Sequence, residues 1–288
     1  AKLEGARTGM TLSTGRAAAV QLAPLATPEP VMALALAPAE RKDEAKLAQA
    51  LAKMIEESPA LVIDHDAETG ELRLGGQGEM HLRVTLERLA ARYCLTIEQR
   101  APAVPYRETI ARPASVRGRH KKQSGGHGQF GDCVLEVRPQ PRGAGFLFED
   151  AVTGGAIPRN YIPAVQCGVE DVLQKGPLGH PVVDVAVRLV DGSYHSVDSS
   201  DQAFRTAAQI GMREALEACQ PVLLEPVLHV SIRVPSDASP RVNMMVTQRR
   251  GQLLGFDARG GWPGWDVIEA EIPEAEMAGL IVELRSIT

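Results

Sequence analysis

The sequence predicts an α+β fold, and three patterns carry that expectation. Between Val31 and Gln99 a short apolar strand, a helix, two strands, a second helix and a last strand follow one another. From Glu225 the same order begins again. Between these stretches Val183, Val185, Val187 and Leu189 share one face of a strand with period-two alternation. The flanking orders are those of the ferredoxin-like βαββαβ unit, in which two helices cover one face of a four-stranded sheet.

Residues 1–26 hold no complete domain. Gly5, Gly9 and Gly15 punctuate short polar pieces there, and Pro24 to Pro30 reads as a linker. Val31 to Ala37 is the first strand. Glu40 to Ser58 reads as a helix with Leu47, Leu51, Met54 and Ile55 on one face, closed by Pro59. Leu61 to Asp64 and Glu71 to Leu74 pair through Glu68-Thr69-Gly70. Gly78 to Tyr93 is the second helix, striped by Leu82, Leu86, Leu89 and Tyr93, and Leu95 to Gln99 completes the unit.

Ala101 to Pro105, with two prolines, is a second linker. The region after it should hold strands near Cys133 to Val137 and Phe146 to Glu149, a helix at about Tyr161 to Lys175, the alternating strand, and a helix from Ser199 to Cys219. Ser199 and Gln202 have the spacing of a capping box at that helix start. In the last region Leu228, Val230, Ile232 and Val234 alternate with His229, Ser231 and Arg233. A helix around Val242 to Arg250, strands Gln252 to Asp257 and Trp265 to Glu271, and a helix from Ala275 to about Ser286 follow. The last strand of the unit is missing, which reads as a truncation.

A length of 288 residues allows two or three domains. No apolar run approaches the ~20 residues that span a bilayer, and no signal-peptide pattern opens the chain. The expectation is a cytoplasmic protein with no membrane partner. The net charge of −5 argues against a chain that binds nucleic acid over its whole surface. Locally, Arg117, Arg119, His120, Lys121 and Lys122 form a stretch with no acidic residue. Cys94, Cys133, Cys167 and Cys219 are far apart and form no C-x-x-C pair, so mostly buried, reduced thiols are expected rather than zinc ligands or disulfides.

Gly126 to Gly131 fits G-x-G-x-x-G, but a strand follows it where a dinucleotide site needs a helix. The kinase partner motifs are absent as well. An ordinary glycine-rich turn remains, or a hairpin tip whose backbone can approach another backbone closely. Gly192 to Ser200 is a polar loop leading into a capped helix. A hydrolase triad there is disfavoured, since no G-x-S-x-G elbow occurs. A loop with solvent-facing hydroxyls and an RNA-contacting tip both stay open. Asp64-His65-Asp66 reads as a solvated turn rather than a metal site, because alternation sends neighbours to opposite faces. Arg249-Arg250-Gly251 fits charge compensation at a helix end with a glycine cap. No G-x-x-x-x-G-K-[S/T] occurs, so this chain should not hydrolyse GTP and is not itself expected to be an enzyme.

Five segments taken together resemble the elongation factor G family. His120 to Gly131 resembles the first tip loop of its domain IV. Gly154-Gly155-Ala156-Ile157-Pro158 with Tyr161 to Val165 resembles the following segment, and Gly192 to Ser200 the second tip loop. Pro221 to Pro226 resembles the junction into domain V, and Gly75 to Leu82 the second helix entry of domain III. The resemblance covers nearly the whole chain in one order. It implies that residues 1–26 are the tail of domain II, 27–101 domain III, 102–224 domain IV and 225–288 domain V without its last strand. Domains III and V would be ferredoxin-like, and domain IV would have the ribosomal protein S5 domain 2-like βαβ fold. It further implies a ribosome-dependent GTPase whose GTP and magnesium sit in an N-terminal domain outside this chain, with no cofactor here. The partners would be the ribosome (ribosomal RNA, ribosomal proteins and tRNA–mRNA in the decoding region) and the GTPase domain itself. The function would be tRNA–mRNA translocation, or alternatively ribosome disassembly or protection. The residues carried over as RNA or ribosome contacts are Lys121, Lys122, Ser124, Gly125, Gly126, His127, Gly128, Gln129, Phe130, Ser193, Tyr194, His195, Ser196, Asp198 and Ser199. His195 matches the position that eukaryotic and archaeal relatives carry as a modified histidine. His127 stands where the family usually has Arg, and Phe130 where it usually has Tyr. The helix around Val242 lacks the usual paired Gly-Asp steps.

Overall fold

The structure, a computed structural model, describes residues 8–11, 22–23, 26–123 and 128–288. The expectations for Ser124, Gly125, Gly126 and His127, and for most of residues 1–26, fall outside them. The chain divides into two compact units, residues 1–105 together with 226–288, and residues 106–225.

In the first unit, β1 (Met32–Pro38), α1 (Glu44–Glu57), β2 (Val62–His65), β3 (Leu72–Gly76), α2 (Glu79–Tyr93) and β4 (Ile97–Arg100) follow in order. The sheet order is β2-β3-β1-β4 and every pairing is antiparallel, the ferredoxin-like arrangement. The two helix stripes meet the sheet through Leu47, Leu51, Met54, Leu82 and Leu89, which bury against Leu36 and Leu74. The first helix starts later than its composition suggests. Arg41–Asp43 forms a 3-10 turn before it, with Glu40 extended. Asp66 is a turn residue: its Oδ1 accepts from the N–H groups of Glu68 and Thr69. These bonds, the largest cause, and the nearby Arg73 hold its carboxyl below the ordinary range.

The second unit contains β5 (Arg107–Ile110), β6 (Ala114–Lys122), β7 (Gln129–Pro139), β8 (Phe146–Asp150), α3 (Ile162–Leu173), β9 (Val185–Ser193), α4 (Asp201–Ala218) and β10 (Pro221–Leu224). Its main sheet has the order β6-β7-β9-β8, and only β8 and β9 run parallel, joined through α3 as a βαβ crossover. β5 pairs with β10 as a separate ribbon. The sequence pattern does not reveal β5, β6 or β10. β6 is the basic stretch, and its alternating arginines face outward without an apolar period to mark a strand. The helix expected from Ser199 begins at Asp201. Ser200, with extended backbone, is the N-cap and accepts the Ala203 N–H at 3.2 Å. Gln202 reaches the Thr206 hydroxyl instead of closing a capping box.

α4 lies against the backbone of β6 and β7. A Cβ built on Gly118 would stand 2.2 Å from the Ala207 carbonyl and 2.7 Å from the Gly211 nitrogen. One on Gly131 would stand 2.4 Å from the Ala203 carbonyl. Helix backbone and sheet backbone touch there with no side chain between them. Phe204, Ala207, Ala208, Met212 and Leu216 fill the core on either side with Leu135, Val187 and Leu189.

The remaining part of the first unit holds β11 (Val227–Pro235), α5 (Ser239–Gln248), β12 (Gln252–Ala258), β13 (Trp265–Pro273) and α6 (Leu280–Ile287). Its antiparallel sheet has the order β11-β13-β12. The single last helix expected from the sequence is two pieces. Glu274–Glu276 is a 3-10 turn, and Gly279 at φ 73° breaks the path before α6. The cap of α5 differs too. Arg250, not Gly251, takes the left-handed conformation at φ 57°. Gly251 donates to the Val246 carbonyl at 2.9 Å, where a Cβ would meet Val246 at 2.7 Å. Arg249 does not compensate its own helix end. It donates to the Glu276 and Ala278 carbonyls and pairs with Glu283 at 2.7 Å. Within this unit Arg285 also donates to the Gln77 carbonyl at 2.6 Å.

Cys133 and Cys219 are buried, whereas Cys94 and Cys167 are exposed, against the expectation that the thiols are mostly buried. Burial pushes the Cys133 thiol up to about 12. A thiol reagent at pH 8 should therefore modify Cys94 and Cys167 in the native protein and reach Cys133 only on unfolding, read by mass spectrometry of digested samples. Gly118→Ala should destabilise the protein by about 2 kcal/mol in urea unfolding. Gly260→Ala, where an added Cβ meets nothing within 4 Å, should stay within about 0.5 kcal/mol of the parent.

Candidate functional site

The β6–β7 hairpin and the loop after β9 end together. β7 pairs with β6 as far as Lys122↔Gln129 and with β9 as far as Asp132↔Ser193. The first loop therefore extends from a hairpin that outreaches β9, and the second leaves β9 beside it and turns into α4. Because α4 sits against the sheet backbone, the residues just before it are brought to the hairpin. Phe130 and Ser199 form a parallel bridge. The Phe130 N–H donates to the Asp198 carbonyl at 2.8 Å. The Ser199 hydroxyl donates to the Phe130 carbonyl at 3.0 Å and accepts the His195 N–H at 2.9 Å. Asp198 Oδ1 accepts the Gly128 N–H at 3.0 Å.

His195 lies on the outside of this interlock with its side chain 56% exposed. Its Nδ1 is 3.3 Å from Asp198 Oδ2, and the Asp198 N–H is also 3.3 Å from that nitrogen. The imidazole stands edge-on to Phe130 at 6.5 Å between ring centroids. The Arg119 guanidinium lies 5.6 Å from the Phe130 centroid, within cation–π range. Tyr194, Ser196 and Val197 are exposed, as are Lys121 and Lys122.

Beneath the tip, Asp132 is almost completely buried. It accepts two bonds from Arg117, at 2.8 and 2.7 Å, and one from the Ser193 hydroxyl at 2.7 Å. Burial, the largest influence, would raise its carboxyl. The Arg117 and Ser193 hydrogen bonds together with the Arg117 and Arg119 charges outweigh it, and the net shift is downward. One of the four Lys and Arg cations in the basic stretch is thus neutralised locally. Asp132 is absent from the residues expected at the site, although the alternation of β7 places it beside the arginines of β6.

The expected contact residues divide by what their polar groups do. Ser193, Asp198 and Ser199 spend theirs on holding the loops, and the Gln129 amide oxygen is 2.9 Å from His120 Nε2. Tyr194, His195 and Ser196, with Lys121 and Lys122, face outward. Tyr161 supports the second loop from below: its hydroxyl donates to the Ser199 carbonyl at 3.3 Å, and its ring stacks on Phe204 at 4.9 Å. Among the described residues no cluster of three His, Cys, Asp or Glu side chains is placed to hold a metal.

Three family descriptions match consecutive stretches. "Elongation Factor G, domain III" matches residues 27–100, "Elongation factor G, domain IV" residues 102–220, and "Elongation factor G C-terminus" residues 222–288. A curated relative from Synechocystis sp. (strain ATCC 27184 / PCC 6803 / Kazusa), named "Elongation factor G-like protein", is 51% identical over 289 residues. The alignment takes in all of this chain and 43% of that relative's length. A crystal structure of a Thermus thermophilus protein superposes with a TM-score of 0.74 at 41% identity, over 89% of this chain and 38% of the other. The succession of ferredoxin-like unit, βαβ unit with interlocked strand-end loops, and second ferredoxin-like unit is that of a translation elongation factor. The chain belongs to the elongation factor G family.

Asp132 sets an acid limit on the second unit. An unfolded Asp titrates near ~3.9. The folded value lies below it, so the stabilisation is complete above that pH and is lost as pH falls through the folded value. Thermal unfolding followed from pH 6 to pH 2 should show a midpoint that declines below about pH 4. Asp132→Asn should lower the midpoint at pH 6 and remove that part of the acid slope.

Proposed function

We propose that this chain supplies the ribosome-facing domains of a translation GTPase, and that the paired loops of the second unit contact tRNA–mRNA in the decoding region during translocation. The observation that carries the reading is the interlock of Gly128, Phe130, Asp198 and Ser199. It ties the Gly128 end of the hairpin to the second loop, on which His195 is exposed. Such a tip offers an imidazole, the Tyr194 ring and exposed polar groups to single-stranded or distorted RNA, with Lys121 and Lys122 placed for phosphates. The work asked of it is mechanical. A stiff tip occupies a position and blocks the return of the tRNA–mRNA pair.

The parent protein on this reading is a cytoplasmic GTPase whose GTP and magnesium sit in a domain beyond these residues. The chain itself contains no phosphate loop, so no nucleotide step is assigned to its side chains. Its whole activity and its partners follow from the family and from the tip geometry, since the chain spans less than half of the relative it matches.

In the full-length protein, His195→Ala should slow tRNA–mRNA movement on ribosomes by about tenfold or more, the loss of roughly one strong polar contact. The measurement is stopped-flow fluorescence of labelled mRNA. Ribosome-stimulated GTP hydrolysis should fall much less. Equal losses in both rates would reject the tip role, and subunit splitting without movement would favour the disassembly reading.

A further inference from the structure

Asp198 occupies a place that no contact role explains. Its carboxylate is two-thirds shielded, with the side chain 31% exposed, and it lies between the loops rather than on them. One oxygen takes the Gly128 N–H, and the other faces the His195 Nδ1 at 3.3 Å. Its backbone carbonyl takes the Phe130 N–H. The space that any side chain at position 128 would need is already filled. A Cβ there would stand 2.9 Å from the Asp198 carboxyl carbon and 3.0 Å from each of its oxygens. Gly128 and Asp198 are therefore a matched pair across 70 residues of sequence.

We infer that Asp198 is the positioning residue of the tip: it locks the Gly128 strand of the first loop to the second loop and sets the orientation of the His195 ring. This rests on the reading of the tip as the RNA-facing element. The carboxylate acts through its neighbours. A charged acceptor holds an N–H more strongly than a neutral one does, and Asp198 fixes the imidazole as well: its own N–H and that of Val197 lie 3.3 and 3.4 Å from His195 Nδ1, with its Oδ2 3.3 Å from the same atom. The ring is thereby held with Nε2 directed away from the carboxylate and left for a partner. Asn at this position would keep the acceptor for Gly128 and lose the charge.

The test uses the full-length protein free in solution and then on ribosomes. Asp198→Ala should speed amide exchange at Gly128 by about tenfold, whereas Asp198→Asn should speed it less. Asp198→Asn should nevertheless shift the ring nitrogen resonances of His195 in the NMR spectrum, a change that a purely structural spacer would not produce. Gly128→Ala should speed exchange at Phe130, and combining it with Asp198→Ala should add little, because the two residues contest one space. Unchanged Gly128 exchange in Asp198→Ala, or fully additive effects in the double variant, would overturn the inference. If exchange and ring resonances respond as stated but tRNA–mRNA movement does not slow, the positioning role stands and the proposed function fails. If movement slows while exchange and resonances stay fixed, the positioning role is wrong and the proposed function survives.

Discussion

The contact between α4 and the backbone of β6 and β7 governs where everything else in the second unit can be. At Gly118 and Gly211 the helix meets the sheet with no side chain in between. Packed elements otherwise stand about 8–10 Å apart, separated by their side chains. Drawing the helix this close fixes its height as well as its distance, because the small residues Ala203, Ala207 and Gly211 recur at four-residue spacing along the touching face. The helix N-terminus then has one available position, beside Phe130. Ser199 and Ser200 split the work there: the first bonds to the hairpin, and the second caps the helix.

Two carboxylates stabilise this arrangement at two levels. Asp132 lies in the sheet and joins three strands: its own β7, β6 through Arg117, and the end of β9 through Ser193. A buried charge of this kind is costly unless fully partnered, and three hydrogen bonds to two side chains meet that condition. Asp198 lies above it and joins the loops that leave those strands. The lower carboxylate determines where the loops start and the upper one how they close on each other. Arg119, outside the bidentate pairing that engages Arg117, lies over Phe130 and braces the hairpin edge.

The α+β class and the two ferredoxin-like orders were legible because they rest on periodicity. Leu47, Leu51 and Met54, or Leu82 and Leu89, repeat at helical spacing and bury as that spacing requires. Periodicity failed where burial does not dictate composition. β6 alternates Arg117, Arg119 and Lys121 with small or polar residues, and only Ala114 and Val116 at its start are apolar, too short a run to announce a strand. The cap of α4 was misplaced by one residue because Ser199 and Ser200 are chemically interchangeable in sequence. Only the bridge to Phe130 decides which of them turns toward the helix. Gly251 shows a related limit: its N–H does close the end of α5, but Arg250 takes the left-handed turn. The glycine is required by the Val246 side chain against it rather than by its φ, and a steric demand made by a tertiary neighbour leaves no local signature. The loop residues were nameable from motif resemblance. Their division into those that hold and those that face outward depends on hydrogen bonds between segments about 70 residues apart.

That division bears on what kind of contact the tip can make. A surface that binds through charge needs many free cations, and this chain has a net charge of −5 with Arg117 already committed to Asp132. Affinity gained by counterion release would be small. A rigid surface gains its selectivity differently, because a preorganised shape loses little conformational entropy when it meets its partner. On the proposed reading, the hydroxyls of Ser193 and Ser199 and the carboxylate of Asp198, turned inward, hold the second loop in place before its exposed residues meet a partner. On the proposed reading, a tip that holds its place against a moving RNA partner benefits more from resisting deformation than from adhering tightly, since strong adhesion would also slow its own departure.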